Sequence, residues 1–119
     1  MTTQEIAQTL ASLCNQGQFE KAQKQLYAED AISIEPHATP DFALETKGLP
    51  AIIEKGIKFE NMTEALHGVK VSDPIVAGNS IAFTMELDIT MKGRERMKMS
   101  EMCVYVVKDG KITSEHFFM

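Results

Sequence analysis

From Ser80 to Met91 the chain alternates without a break. Ile81, Phe83, Met85, Leu87, Ile89 and Met91 fall on one side, and Ala82, Thr84, Glu86, Asp88 and Thr90 on the other. Successive side chains of a β-strand point to opposite faces, so this pattern predicts one long strand that is apolar on one face only. Such a strand must be paired within a sheet, and its apolar face needs a second layer against it. Turn signals supply the neighbours. Gly78-Asn79 and Asp109-Gly110 read as two-residue hairpin turns, and Lys92 to Arg94 as a third turn. The extended segments are then Leu66 to Ala77, broken at Asp73-Pro74, Ser80 to Met91, Glu95 to Val107 and Ile112 to Met119.

The second layer comes from the first half of the chain. Thr2 or Thr3 can cap a helix with Glu5 close behind, and Ile6, Leu10 and Leu13 then share one face. Asn15, Gln16 and Gly17 stop it. A second helix runs from Phe19 to about Tyr27, a short strand from Ala31 to Pro36, and a loop from His37 to Glu45. Gly48, Leu49 and Pro50 open a third helix that carries Ile52, Ile53, Ile57 and Phe59, with the proline in the first turn. The expected architecture is α+β: three N-terminal helices packed on a curved antiparallel sheet, in a single domain over residues 1–119.

Composition removes several function classes. Twelve Lys and Arg against seventeen Asp and Glu give a net charge of −5, the wrong sign for binding nucleic acid or an anionic membrane. No apolar run approaches the ~20 residues of a membrane span. The N-terminal stretch has an acid and no basic lead-in, so a signal peptide is not expected and a cytoplasmic location is. Cys14 and Cys103 lie far apart and read as two buried thiols. The three histidines have no metal-site spacing, and no phosphate loop or nucleophile elbow is present, so neither metal nor cofactor is expected.

Strand register singles out the ionisable residues. With a three-residue turn that sets Met91 opposite Glu95, Asp88 is expected to face Arg96, Glu86 Lys98 and Thr84 Ser100 on one face. On the other face Ile89 meets Met97, Leu87 meets Met99, Met85 meets Glu101, Phe83 meets Cys103 and Ile81 meets Tyr105. A two-residue turn at Gly93 stays open as the alternative. Glu101 then stands as an acid on the apolar face, where it must be protonated, partnered or in contact with a wet cavity. A regular hairpin at Asp109-Gly110 sets Val107 opposite Ile112, Tyr105 opposite Ser114 and Cys103 opposite His116, which puts His116 inside as well. His37 and His67 are expected on surface loops.

Three pieces in order, LYAEDAISIEP, GLPAIIEKGIKF and VKDGKITSEHFF, carry a resemblance over nearly the whole chain. The sequence resembles the nuclear transport factor 2-like superfamily, and within it the SnoaL-like polyketide cyclase and ketosteroid isomerase group. The resemblance implies a cone-shaped fold with an apolar pocket between sheet and helices, and a homodimer. It also sets Glu35, before Pro36, at the place of the isomerase's general-base aspartate. The isomerase's oxyanion donors would fall at about Leu10 and Cys103, neither of which donates a strong hydrogen bond, so steroid isomerisation by that route is not expected.

Two functional readings follow. In the first, the domain binds a small hydrophobic, carbonyl-bearing molecule in a pocket lined by Phe83, Met85, Met99, Cys103 and Tyr105. Glu35 is then the base, a neutral Glu101 donates to the oxygen, and His116 positions the ligand or shuttles the proton. In the second it is a non-catalytic homodimeric ligand-binding or assembly module whose outer sheet face, with Val104, Val106, Phe117 and Met119, makes the contact.

Overall fold

The computed structural model describes residues 1–119. Helix α1 spans Thr3–Asn15. It opens on a reciprocal cap: the Glu5 N–H donates to the Thr2 hydroxyl at 3.1 Å, and the Thr2 N–H donates to the Glu5 carboxylate at 2.8 Å. It ends at Gly17, whose φ of 72° allows the left-handed turn that stops a helix. Helix α2 is Phe19–Leu26 and runs directly into strand β1, Tyr27–Ile34. Strand β2, Glu45–Lys47, was not expected; it begins where the expected loop ends and forms because its backbone pairs antiparallel with β1 at Ile32 to Ile34. Helix α3 is Leu49–Met62, with Pro50 in its first turn. Then follow β3, Thr63–Val71, β4, Ile75–Ala77, β5, Ser80–Met91, β6, Met97–Lys108, and β7, Lys111–Phe118.

The strands form one curved, unclosed seven-stranded sheet in the order β2-β1-β7-β6-β5-β3, with β4 also paired to β5. Every pairing is antiparallel except β1 with β7, which is parallel, so the sheet is mixed. Both hairpin turns have the backbone that their glycines permit. Asp109 and Gly110 have φ of 53° and 75°, positive at both central positions, and Gly78 has φ 57° at the first. The core lies between the concave face and the helices: Ile6, Leu10, Ile52, Ile81, Ile89, Cys103 and Ile112 are at most 1% exposed.

The β5–β6 register sets the apolar pairs as expected, from Ile81 with Tyr105 to Ile89 with Met97. The expected polar pairs are not directly opposite one another. Asp88 stands opposite Lys98 and Glu86 opposite Ser100, because one uniform register governs both faces. The expected ion pairs form along the diagonal instead, Arg96 to Asp88 through two bonds of 2.9 and 2.8 Å, and Lys98 to Glu86 at 3.9 Å.

The β6–β7 register differs from the regular hairpin. Val107 faces Ile112, but Val106 faces Ser114, so Thr113 is one residue extra on β7. This β-bulge advances everything beyond it by one place. Tyr105 pairs with Glu115, Cys103 with Phe117 and Val104 with His116. Glu115 and Phe117 therefore turn to the concave face. His116 turns to the outer face, where its ring stacks on Phe118 at 4.1 Å. The expected interior position of His116 and outer position of Phe117 are thus both reversed.

Candidate functional site at the mouth of the cone

The helices cover the concave face unevenly. Along β6 the inward residues Cys103, Tyr105 and Val107 are buried, whereas Met97, Met99 and Glu101 are only half-buried. Phe117 and Glu35, on neighbouring strands, are half-buried as well. One end of the cone is therefore packed and the other is open. Phe83, Cys103 and Tyr105, expected to line a pocket, lie in the packed end at 3%, 0% and 2% exposure, the Phe83 and Tyr105 rings 5.3 Å apart. Met85 is buried opposite Glu101, and Met99 flanks Glu101 at the mouth.

Glu101 has no hydroxyl or ammonium bonded to it; its contact is the Cys103 thiol, 3.8 Å from Oε1. Burial pushes its carboxyl up to about 7, and the negative charges of Glu35 and Glu115 add to that rise. Lys55 opposes it more weakly. A carboxyl poised there exchanges its proton near neutral pH.

Glu35 follows β1, and its N–H is held by the Leu44 carbonyl at 2.8 Å. Its carboxylate pairs with Lys55 of α3 at 2.8 Å. Lys55 also donates to the Ser33 hydroxyl at 2.5 Å, and Ser33 donates onward to Glu115 Oε2 at 2.6 Å. The Tyr27 hydroxyl donates to the other oxygen of Glu115. A continuous chain of polar groups thus runs Tyr27–Glu115–Ser33–Lys55–Glu35, from the core to the mouth. Glu115 is 3% exposed, and burial raises its carboxyl above the usual range against the pull of the two hydroxyls. Burial likewise pushes the Tyr27 and Tyr105 hydroxyls well up, and the Cys14 thiol to about 12. Cys14 and Cys103 are free, buried thiols.

A separate cleft of about 590 Å³ lies between α3 and the 41–46 segment; Lys55 lines it, but Glu35 and Glu101 do not. Phe42, Ile57, Met62 and the Lys55 stem are in its wall. Phe42 packs on Phe59 with ring centres 6.3 Å apart, and the Lys58 ammonium sits over the Phe42 ring.

The structure brings Glu35 and Glu101 to the same mouth and removes His116 from it. His67 is exposed on β3, bonded to Thr90 at 2.8 Å, rather than in a loop. Lys55, Ser33, Tyr27 and Glu115 were not singled out by sequence. Ile32 and Ile34 make β1 look apolar on their side, yet it is Ser33 that turns fully inward. A signal for Glu115 exists only if Thr113 is read as a bulge. Then Ile112 and Phe117 share a face and Glu115 falls between them.

A family model described as the SnoaL-like domain matches residues 1–119. A Mesorhizobium loti protein, provisionally assigned as a SnoaL-like polyketide cyclase and carbohydrate phosphatase, is 33% identical, with 100% of each chain covered and a TM-score of 0.92. A Mycobacterium tuberculosis protein in complex with estradiol-17β-hemisuccinate is 17% identical, covering 100% of this chain and 95% of that one, with a TM-score of 0.76. TerC co-crystallised with polyporic acid is 12% identical, covering 99% and 92%, with a TM-score of 0.79. The last two likenesses are of fold alone. No curated protein matches the sequence. No helix is long and apolar enough to cross a membrane. By the match over its full length and the likeness to the Mesorhizobium protein, the chain belongs to the SnoaL-like domain family.

Proposed function

We propose that this domain binds a small hydrophobic molecule bearing a carbonyl group at the open mouth, and that its carboxylates move a proton on it. The observation that carries this reading is Glu101, half-buried on the concave face, unpartnered by any strong donor and poised at about 7. Met99, two residues along β6, and Phe117, opposite Cys103 on β7, supply apolar surface near it. The oxyanion donors missing at Leu10 and Cys103 have a substitute in Lys55. An ammonium has three N–H groups, and the protein uses two, on Ser33 and Glu35. The third is available to a ligand oxygen. Glu35 or Glu101 takes a proton from the carbon next to the carbonyl, the electron pair moves onto the carbonyl oxygen, and the Lys55 charge stabilises it there. Returning the proton to the same or another carbon completes an isomerase- or cyclase-type step. His116 has no part in this scheme, since it faces outward. Structural relatives crystallised with estradiol-17β-hemisuccinate and polyporic acid support a pocket for hydrophobic ligands in this fold.

The test is a thermal-shift screen with aromatic and alicyclic ketones, run on wild type, Glu101→Gln and Lys55→Met. A ligand at a hundred times its Kd adds about 2.7 kcal/mol to stability. Ketones are expected to raise the melting temperature of wild type and to do so less in both variants. A library that shifts nothing removes the reading.

One observation favours a second role beside it. Met102, Val106, Phe118 and Met119 are 40–66% exposed on or beside the outer face of β6 and β7. A second copy covering that apolar surface makes the domain a homodimer, with Phe118 in the place once expected for Phe117. Light scattering after size exclusion is expected to give twice the 13.2 kDa chain mass, and a Phe118→Lys variant the single mass. A wild-type monomer ends the dimer claim.

A further inference from the structure

Glu115 takes no part in the chemistry just described, yet it anchors the polar chain that ends there. We propose that Glu115 is a positioning residue: it fixes the Ser33 hydroxyl, and through that hydroxyl it holds the Lys55 ammonium at the mouth. The value of that position rests on the proposed function; the geometry does not.

A serine hydroxyl has one proton and two lone pairs. With its proton given to Glu115 Oε2 at 2.6 Å, its lone pairs are left to face a donor, and Lys55 occupies that place at 2.5 Å. The Tyr27 hydroxyl holds the second oxygen of Glu115, so the carboxylate cannot swing away. Lysine is a flexible chain ending in a point charge, and a surface lysine would wander. Lys55 does not, because it is clamped between Ser33 and Glu35, its side chain is 15% exposed, and the Phe117 ring lies 5.9 Å from its nitrogen. Glu35 alone would draw the ammonium outward, since that carboxylate is the more exposed partner. Ser33 draws it inward, toward the concave face. The β7 bulge is what makes this possible: without Thr113 as an extra residue, Ser114 would stand opposite Tyr105 and Glu115 would point outward.

The experiment uses the ligand-free protein, so it reads the positioning whether or not any ketone binds. Proton exchange of the Lys55 ammonium is followed by nitrogen–proton NMR in wild type, Ser33→Ala, Ser33→Thr and Glu115→Gln. Wild type is expected to show a protected Lys55 signal. Ser33→Ala is expected to speed its exchange roughly tenfold or more, the factor that one charge-assisted hydrogen bond is worth. Ser33→Thr, which keeps the hydroxyl, is expected to restore the slow rate. Glu115→Gln, which keeps the shape and removes the charge, is expected to speed exchange as well. Unprotected Lys55 in wild type overturns the proposal without recourse to any variant. So does a folded Ser33→Ala or Glu115→Gln protein with the wild-type rate. If Glu115→Gln does not fold, the Ser33 pair still decides the result. A protected Lys55 with a failed ketone screen would leave the positioning standing and remove only the proposed substrate class.

Discussion

Glu101→Gln is expected to flatten part of the pH dependence of stability and to leave a variant more stable than wild type above pH 7. In the fold, burial and two neighbouring acids lift the Glu101 carboxyl from 4.5 to about 7. In the unfolded chain it returns to its ordinary value. Between those two values the folded protein holds a proton that the unfolded one has released, so unfolding releases a proton and rising pH favours it. The Glu101 contribution is therefore at its best below pH 4.5, declines as pH rises toward 7, and is level above. At about 1.4 kcal/mol per pH unit, the interval amounts to a ceiling of about 3 kcal/mol, reduced by the water that reaches the mouth. Glutamine copies the protonated acid and never ionises. Urea unfolding of both proteins at pH 5 and pH 8 is expected to show a small gap favouring glutamine at the first and a several-fold larger one at the second. Glu115 is also raised and has the same sign; it stays in both proteins, and its repulsion of Glu101 is part of the gap being measured. Parallel pH profiles would place Glu101 in open water and remove it as the proton-transfer group.

The helices and long strands were legible in the sequence because each carried a local signal that the tertiary structure did not override; β2 carried none and forms only by pairing with β1. The capping box at Thr2, the positive-φ turns at Gly78 and Asp109-Gly110, and the period-two pattern of β5 are of this kind. The β5–β6 register was legible on the apolar face, since a slip of one residue would have exposed six apolar side chains, whereas the pairs expected on the charged face were set two residues off. Glu101 followed from that register alone. The site's other half was not legible, and one residue is the reason. A bulge depends on the twist the sheet needs at that point, which no pattern in KITSEHFF reveals; either face of that segment holds one ionisable group and one phenylalanine among its outer positions. Read as a regular hairpin, it delivers His116 to the interior; with Thr113 set aside, it delivers Glu115. Lys55 was hidden for a different reason. A lysine on an amphipathic helix reads as solvated, and only the parallel pairing of β1 with β7 brings Ser33 and Glu115 within its reach.

Glu115→Ala is expected to be among the most damaging single substitutions in the chain, at about 3–5 kcal/mol, the combined cost of two orphaned buried hydroxyls and a cavity. The Tyr27 and Ser33 hydroxyls would both lose their acceptor inside the core, and a cavity would take the place of the carboxyl stem. That cost is not the net worth of the network. A buried carboxylate with hydroxyl partners is itself held against desolvation, so an apolar replacement of all three groups removes the penalty along with the bonds. The triple variant Tyr27→Phe, Ser33→Ala, Glu115→Leu is therefore expected to recover most of the loss, and to be more stable than Glu115→Ala alone. Urea unfolding of wild type, single and triple variants checks the order. A single variant costing under about 1 kcal/mol would mean that the carboxylate is not bonded as described. A triple variant no better than the single would mean that the network itself holds this part of the sheet together. The expected order carries a consequence for function: a domain that could be more simply packed with apolar side chains at Tyr27, Ser33 and Glu115 keeps polar ones, and the group at the end of their chain is the Lys55 ammonium at the mouth.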